Sequence, residues 1–324
     1  MLRGQDSQGE EEMEESRGAS KEAFSISDVG CERELNEDRF DAINSASAIN
    51  WVVCDGMGGV AGGEFAAQLA IDAMTRVLSE TPAGMPNVDA LTSAVREANR
   101  VIVLRRRNKD FASMGTTVVA ARFDGSELVI SSIGDSRAYL IRDGAVQQLT
   151  VDHTYVQTLV DEGKIQPEDA LNHPEAHVLT QCLGAEPNVE VPSERFWLWP
   201  TESGEDGDTL LLCSDGLYSL VPEAEIGAIV SGSSPQEACE QLVQLACSRG
   251  GYDNVTMTII PFAGILRQTP PSKVALPEAP QRRQTGPQAH GRPGLMKHLI
   301  FLTVMSGLAA AATVVGFVAM RLLK

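Results

Sequence analysis

Five short turns place acidic residues beside glycine or asparagine, and they are spread over more than two hundred positions. They read Gly30-Cys31-Glu32-Arg33-Glu34-Leu35-Asn36-Glu37-Asp38, Asp55-Gly56-Met57-Gly58-Gly59, Gly134-Asp135-Ser136-Arg137, Ser214-Asp215-Gly216 and Asp253-Asn254. Asp55 follows the apolar run Trp51-Val52-Val53-Cys54, and Asp215 follows Leu210-Leu211-Leu212-Cys213 by one serine. A carboxylate at the end of a buried strand is costly unless positive charge neutralises it. A cluster of hard cations is the simplest neutraliser, and an all-oxygen donor set suits magnesium or manganese rather than zinc or copper.

Elements of two kinds must hold these turns. Short runs rich in β-branched residues at 48–54, 116–122, 127–133, 137–141, 196–199, 209–213 and 254–261 read as strands. Asp124-Gly125 and Asp143-Gly144 between them signal antiparallel hairpins. Segments 63–78 and 88–106 have helical spacing, with Ala66, Leu69, Ala70, Ala73 and Val77 on one face and Leu91, Val95, Ala98 and Ile102 on another. Antiparallel sheets with helices on their outer faces predict an α/β domain, a four-layer helix-sheet-sheet-helix sandwich.

In order and spacing the five acidic segments resemble those of the type 2C metal-dependent serine/threonine protein phosphatases in their bacterial form, over about 24–262. The resemblance implies the same sandwich, with two Mn2+ or Mg2+ ions at one end of the sheets and a weaker third. It implies that Asp55 bridges two metals, that the Gly56 carbonyl and Glu37 serve the second, and that Asp215 and Asp253 hold the first. Asp38 would orient ligands and waters, and Asp135 would share the third ion with Asp215. Arg33 takes the place of the phosphate-binding arginine, whose planar guanidinium matches two phosphate oxygens. Arg33, Asp55, Asp215 and Asp253 are thus the expected catalytic set. One departure stands out: Met57 and Val60 occupy positions where many members carry a histidine for leaving-group protonation. His153 is a weaker candidate to help, and about 155–184 resembles the mobile flap of bacterial members.

Composition bounds the rest. The 324 residues are 43% hydrophobic and 22% charged, ordinary for a folded domain, and the net charge of −18 argues against nucleic-acid binding. Cys31, Cys54, Cys182, Cys213, Cys239 and Cys247 lack zinc-type pairing and read as small hydrophobes in a reducing compartment. Residues 1–22 read as a disordered acidic leader, 23–264 as the catalytic domain, 265–297 as a Pro-rich basic linker, 298–320 as a transmembrane helix and 321–324 as a short tail. At 1.5 Å per residue the apolar run crosses a hydrocarbon core of ~30 Å. The basic residues before it favour a single-pass protein whose catalytic domain is cytoplasmic. The expected partners are phosphorylated proteins, a cognate Ser/Thr kinase and the lipid bilayer. Two other readings compete: an inactive phosphoprotein-binding scaffold and a membrane small-molecule phosphatase.

Overall fold

A computed structural model describes residues 22–59, 62–200 and 207–269. The chain begins with β1 (Phe24–Asp28), β2 (Arg39–Asn44), β3 (Ile49–Cys54) and the two-residue β4 (Gly56–Met57). Helices α1 (Gly62–Ser79) and α2 (Asn87–Arg105) follow, then β5 (Gly115–Thr116), β6 (Val118–Phe123), β7 (Glu127–Ile133), β8 (Arg137–Arg142) and β9 (Ala145–Gln148). The flap carries α3 (Tyr155–Asp161) and a 3-10 helix (Pro167–Asn172). After it come β10 (Ser193–Pro200), β11 (Thr209–Cys213), α4 (Asp215–Tyr218), α5 (Glu223–Gly232), α6 (Pro235–Ser248), β12 (Val255–Pro261) and β13 (Gly264–Arg267).

Side chains alternate across a strand, so a strand apolar at every position must be covered on both faces. In β3, Val52 and Cys54 face α1 and α2, while Trp51 and Val53 face the opposite sheet. In β11, Leu211 and Cys213 pack under α5 and α6, while Leu210 and Leu212 meet the side chains of β3 and β6. The result is the expected four-layer sandwich. One sheet has the order β1-β12-β11-β8-β9 and the other β13-β10-β7-β6-β3-β2. Neighbouring strands run antiparallel throughout. Alanines on α1 and α2, buried at Ala66, Ala70, Ala94 and Ala98, let these helices lie close to each other and to the sheet.

Several elements were not anticipated. β1 and β2 are short and half-exposed, so they lack a strong apolar signal. Helix α6 is announced by Ser234-Pro235-Gln236-Glu237: Ser234 Oγ accepts from the Glu237 amide at 3.3 Å, and the Glu237 carboxylate accepts from the Ser234 amide at 3.0 Å. β13 falls at the start of the expected linker and pairs with β10 from Trp197↔Arg267 to Pro200↔Gly264, so the sheet continues past residue 264. Among the described residues no helix is long and apolar enough to cross a membrane. The expected span at 298–320, residues 1–21 of the leader and most of the linker lie outside the described residues.

Candidate active site

Strand ends supply the acidic residues, and the antiparallel register decides where they meet. Asp55 leaves the end of β3 and Asp38 immediately precedes β2, whose Arg39 pairs with Cys54. On the other sheet Cys213 pairs with both Arg137 and Met257, which brings together the approach to Asp215, the Asp135 turn and the Asp253-Asn254 corner. All five carboxylates therefore gather at one end of the sandwich, two from one sheet and three from the other.

Backbone clasps fix each turn. The Asp55 amide donates to Thr117 Oγ1 at 2.9 Å, and the Asp55 carbonyl accepts from the Thr117 amide and the Thr116 hydroxyl, both at 2.8 Å. Asn254 ties the first motif to the last: its Oδ1 accepts from the Glu37 amide at 2.8 Å, and its Nδ2 donates to the carbonyls of Val29 and Leu35 at 2.8 and 3.1 Å. Asp38 is buried and accepts from Ser214 Oγ at 2.7 Å. Glycine at 56 is required by close packing, because a Cβ there would collide with the carbonyl oxygens of Gly63 and Glu37. Its φ is not in the left-handed region, so the reason is crowding rather than a special bend.

Arg33 lies where the sequence places it. Its Nη2 donates to Asp253 Oδ2 at 2.8 Å and its Nε to the Tyr252 carbonyl at 3.3 Å. The side chain remains 46% exposed, so the rest of the fork faces solvent, open to a phosphate. Ser136 and Arg137 have structural roles. Ser136 Oγ is 2.7 Å from Thr117 Oγ1, and Arg137 pairs with Asp152 at 2.6 Å and stacks 3.7 Å from the Tyr218 ring centroid. Tyr218 in turn donates its hydroxyl to the Asp135 carbonyl at 2.9 Å.

Burial and mutual repulsion dominate the electrostatics of these carboxyls. Burial, then the charges of Asp38, Asp215, Asp135 and Asp253, hold the Asp55 carboxyl well above its ordinary range. Burial, outweighing the Ser214 and Thr256 hydrogen bonds, pushes Asp38 up to about 7. Burial and the neighbouring Asp215 and Asp152 push Asp135 up to about 8. Asp253 is also raised, by burial and Asp215, against the Asn254 amide and Arg33. Asp215 Oδ1 is buried with no hydrogen-bond partner. An orphaned carboxylate oxygen among buried carboxyls with raised pKa values fits a site for hard cations. Among the described residues no three His, Cys, Asp or Glu side chains form the tight group of a closed cage.

The flap contributes a residue that the sequence did not single out for this site. His177 Nδ1 stands 3.2 Å from Asp215 Oδ2, and this contact raises the His177 pKa against partial burial. His173, four residues earlier, accepts the Glu175 amide at 3.1 Å through its Nδ1. His153 braces the Asp135 turn: its Nδ1 accepts from the Gly134 amide at 3.1 Å and its amide donates to the Gly134 carbonyl at 2.9 Å. Met57 pairs with Gly115 in the small β4-β5 ladder, and Val60 lies outside the described residues. A cavity of about 440 Å³ opens beside Asp135 between the flap and α5, with His177, Tyr218 and Glu223 in its walls.

Known proteins resemble this chain. Residues 32–246 match the family Protein phosphatase 2C. The chain is 39% identical over 214 residues to the serine/threonine phosphatase stp of Listeria innocua, covering 64% of this chain and 82% of that one. It is 39% identical over 237 residues to the serine/threonine protein phosphatase PstP of Mycobacterium tuberculosis, covering 72% of this chain and 43% of PstP. The crystal structure of the PstP catalytic domain in complex with two manganese ions superposes with a TM-score of 0.63 at 37% identity, covering 73% of this chain and 96% of that one. The chain belongs to the protein phosphatase 2C family, and it is an enzyme of the serine/threonine protein phosphatase class.

Proposed function

We propose that this chain hydrolyses phosphoserine and phosphothreonine in other proteins with two divalent cations, Mn2+ or Mg2+, held at the acidic end of the sandwich. The observation that carries this reading is the orphaned Oδ1 of Asp215 among buried carboxyls whose pKa values are raised by burial and by one another's charge. Asp55, Asp215 and Asp253 are the primary holders, the Gly56 carbonyl and Glu37 complete one side, Asp38 orients its neighbours, and Asp135 with Asp215 serves a third, weaker ion. When bound, such cations neutralise the phosphoryl charge and supply a water nucleophile active at neutral pH. Arg33 supplies the substrate grip: its exposed guanidinium edge binds phosphate oxygens while the Asp253 and Tyr252 contacts keep it aimed.

The setting is part of the same proposal. The apolar run at 298–320, with Arg282, Arg283, Arg292 and Lys297 ahead of it, supports a single-pass tether with the catalytic domain on the cytoplasmic side. A Ser/Thr kinase in the same membrane is the natural opponent, because tethering raises the effective concentration of each partner for the other.

The test is release of phosphate from a phosphothreonine peptide and from an aryl phosphate by the full chain, with Mn2+, with Mg2+ and with chelator. Asp55→Asn and Asp215→Asn are run alongside. Metal-dependent turnover that both substitutions lower by at least ~10³-fold is expected, since each removes a group on which charge stabilisation depends. A folded, metal-loaded chain without turnover would return the reading to a phosphoprotein-binding scaffold.

A further inference from the structure

Two cysteines lie at the root of the Arg33 loop. Cys31, which is exposed, sits two residues before Arg33, and Cys247 sits in the last turn of α6. The Cys31 thiol reaches the Cys247 carbonyl at 3.8 Å. A Cβ built on Gly251 would lie 3.0 Å from Cys31 Sγ and 3.1 Å from the Cys247 Cα, so the two cysteines border the same small space beside Gly251. Burial and the hydrogen-bonded Cys31 thiol together push the Cys247 thiol up to about 11. The other four cysteines, Cys54, Cys182, Cys213 and Cys239, are buried or half-buried.

The segment that carries Cys31 is fastened to the segment that carries Asp253. The amides of Cys31 and Glu32 both donate to the Gly251 carbonyl, at 2.7 and 3.3 Å, and Arg33 closes the contact on Tyr252 and Asp253. Any movement of Cys31 toward Cys247 is therefore passed through two residues to the guanidinium.

We infer that Cys31 and Cys247 form a thiol-modification site for hydroperoxides, in which an intrachain disulfide displaces Arg33. The exposed Cys31 sulfur attacks the peroxide O–O bond, giving a sulfenic acid and releasing the alcohol, or water in the case of hydrogen peroxide. The Cys247 sulfur then attacks the Cys31 sulfur, the S–S bond forms and the hydroxyl leaves as water, so two thiols are oxidised by the two electrons that one peroxide accepts. A disulfide holds its sulfurs at about 2.05 Å, well inside the contact distance of two thiols. Drawing Cys31 inward by roughly 1 Å is enough to disturb a group that must meet phosphate in a fixed orientation, and misplacement on that scale can cost ~10²-fold.

The effect on turnover rests on the phosphatase reading, whereas the crosslink does not. The full chain is treated with hydrogen peroxide, free thiols are alkylated, and the digest is mapped by mass. The expected result is a Cys31 peptide joined to a Cys247 peptide with loss of two hydrogens, and a fall of at least ~10-fold in kcat/KM for a phosphothreonine peptide that a thiol reductant reverses. Cys247→Ser should keep the untreated activity, form no joined peptide and keep most of its activity after a brief peroxide pulse. Recovery of Cys31 only as an unlinked sulfinic or sulfonic acid, or linked to another cysteine, overturns the site. A Cys31–Cys247 crosslink with unchanged kcat/KM overturns its coupling to Arg33.

Discussion

His177, carried by the flap, stands 3.2 Å through Nδ1 from Oδ2 of Asp215, which the other sheet-end carboxylates surround. This contact ties a surface segment to a carboxyl of the acidic site. The flap is also held by Tyr155 donating to the Val178 carbonyl and Thr180 donating to the His153 carbonyl, both at 2.8 Å.

A cation that takes Asp215 competes with His177 for the same carboxylate. Amide hydrogen exchange over 173–178 is therefore expected to quicken when Mn2+ is added to the chelated chain. His177→Gln should exchange at the faster rate from the start and respond little to metal. Exchange that is equally slow with and without Mn2+ would rule the competition out.

Stability without metal should fall as pH rises. In the unfolded chain aspartates ionise near pH 4, while in the cation-free fold Asp38 keeps its proton to about 7 and Asp135 to about 8. The unfolded state loses these protons first, so linkage lowers folding stability from about pH 4 to about pH 8. Thermal unfolding in chelator is expected to show a declining Tm over that window, and added Mn2+ or Mg2+ should restore it most at the alkaline end. A chelated Tm that is flat or rises across the window would contradict this assignment of the buried charge.

Ser214 has a structural task that can be read separately from catalysis. Its hydroxyl donates to Asp38 at 2.7 Å and accepts from the Thr256 amide at 3.1 Å, both in the interior. Ser214→Ala leaves a buried carboxyl and a buried amide each short of a partner, a loss of about 1–3 kcal/mol. Urea unfolding of the chelated chain should give a lower midpoint with an unchanged m-value.

Much of this site was legible in the sequence because its signals are local. Asp55 and Asp215 end strands whose apolar runs are unmistakable, and the structure draws both to the same end as Asp38, Asp135 and Asp253. The helical stripes of α1 and α2 likewise correspond to the faces they bury. What escaped notice depends on contacts between distant segments. Asn254 reaches Glu37 across 217 positions and Ser214 reaches Asp38 across 176, and neither partner can be inferred from spacing. The His177 contact depends on how the flap folds back. The crowding of Gly56 by the backbones of Gly63 and Glu37 likewise depends on segments that only the fold brings together. Helix α6 is different, because its Ser-Pro-Gln-Glu start was present in the sequence and went unused.

The division of the acidic residues between the two sheets has a further consequence. Asp38 and Asp55 belong to one sheet edge, and Asp135, Asp215 and Asp253 to the other. On the proposed function, an ion shared by Asp55 and the Asp215 and Asp253 side would join the two sheets, a rivet whose binding energy resists their separation. Phosphatase activity would then double as a report on assembly, because a chain whose layers have not closed would lack the joined site.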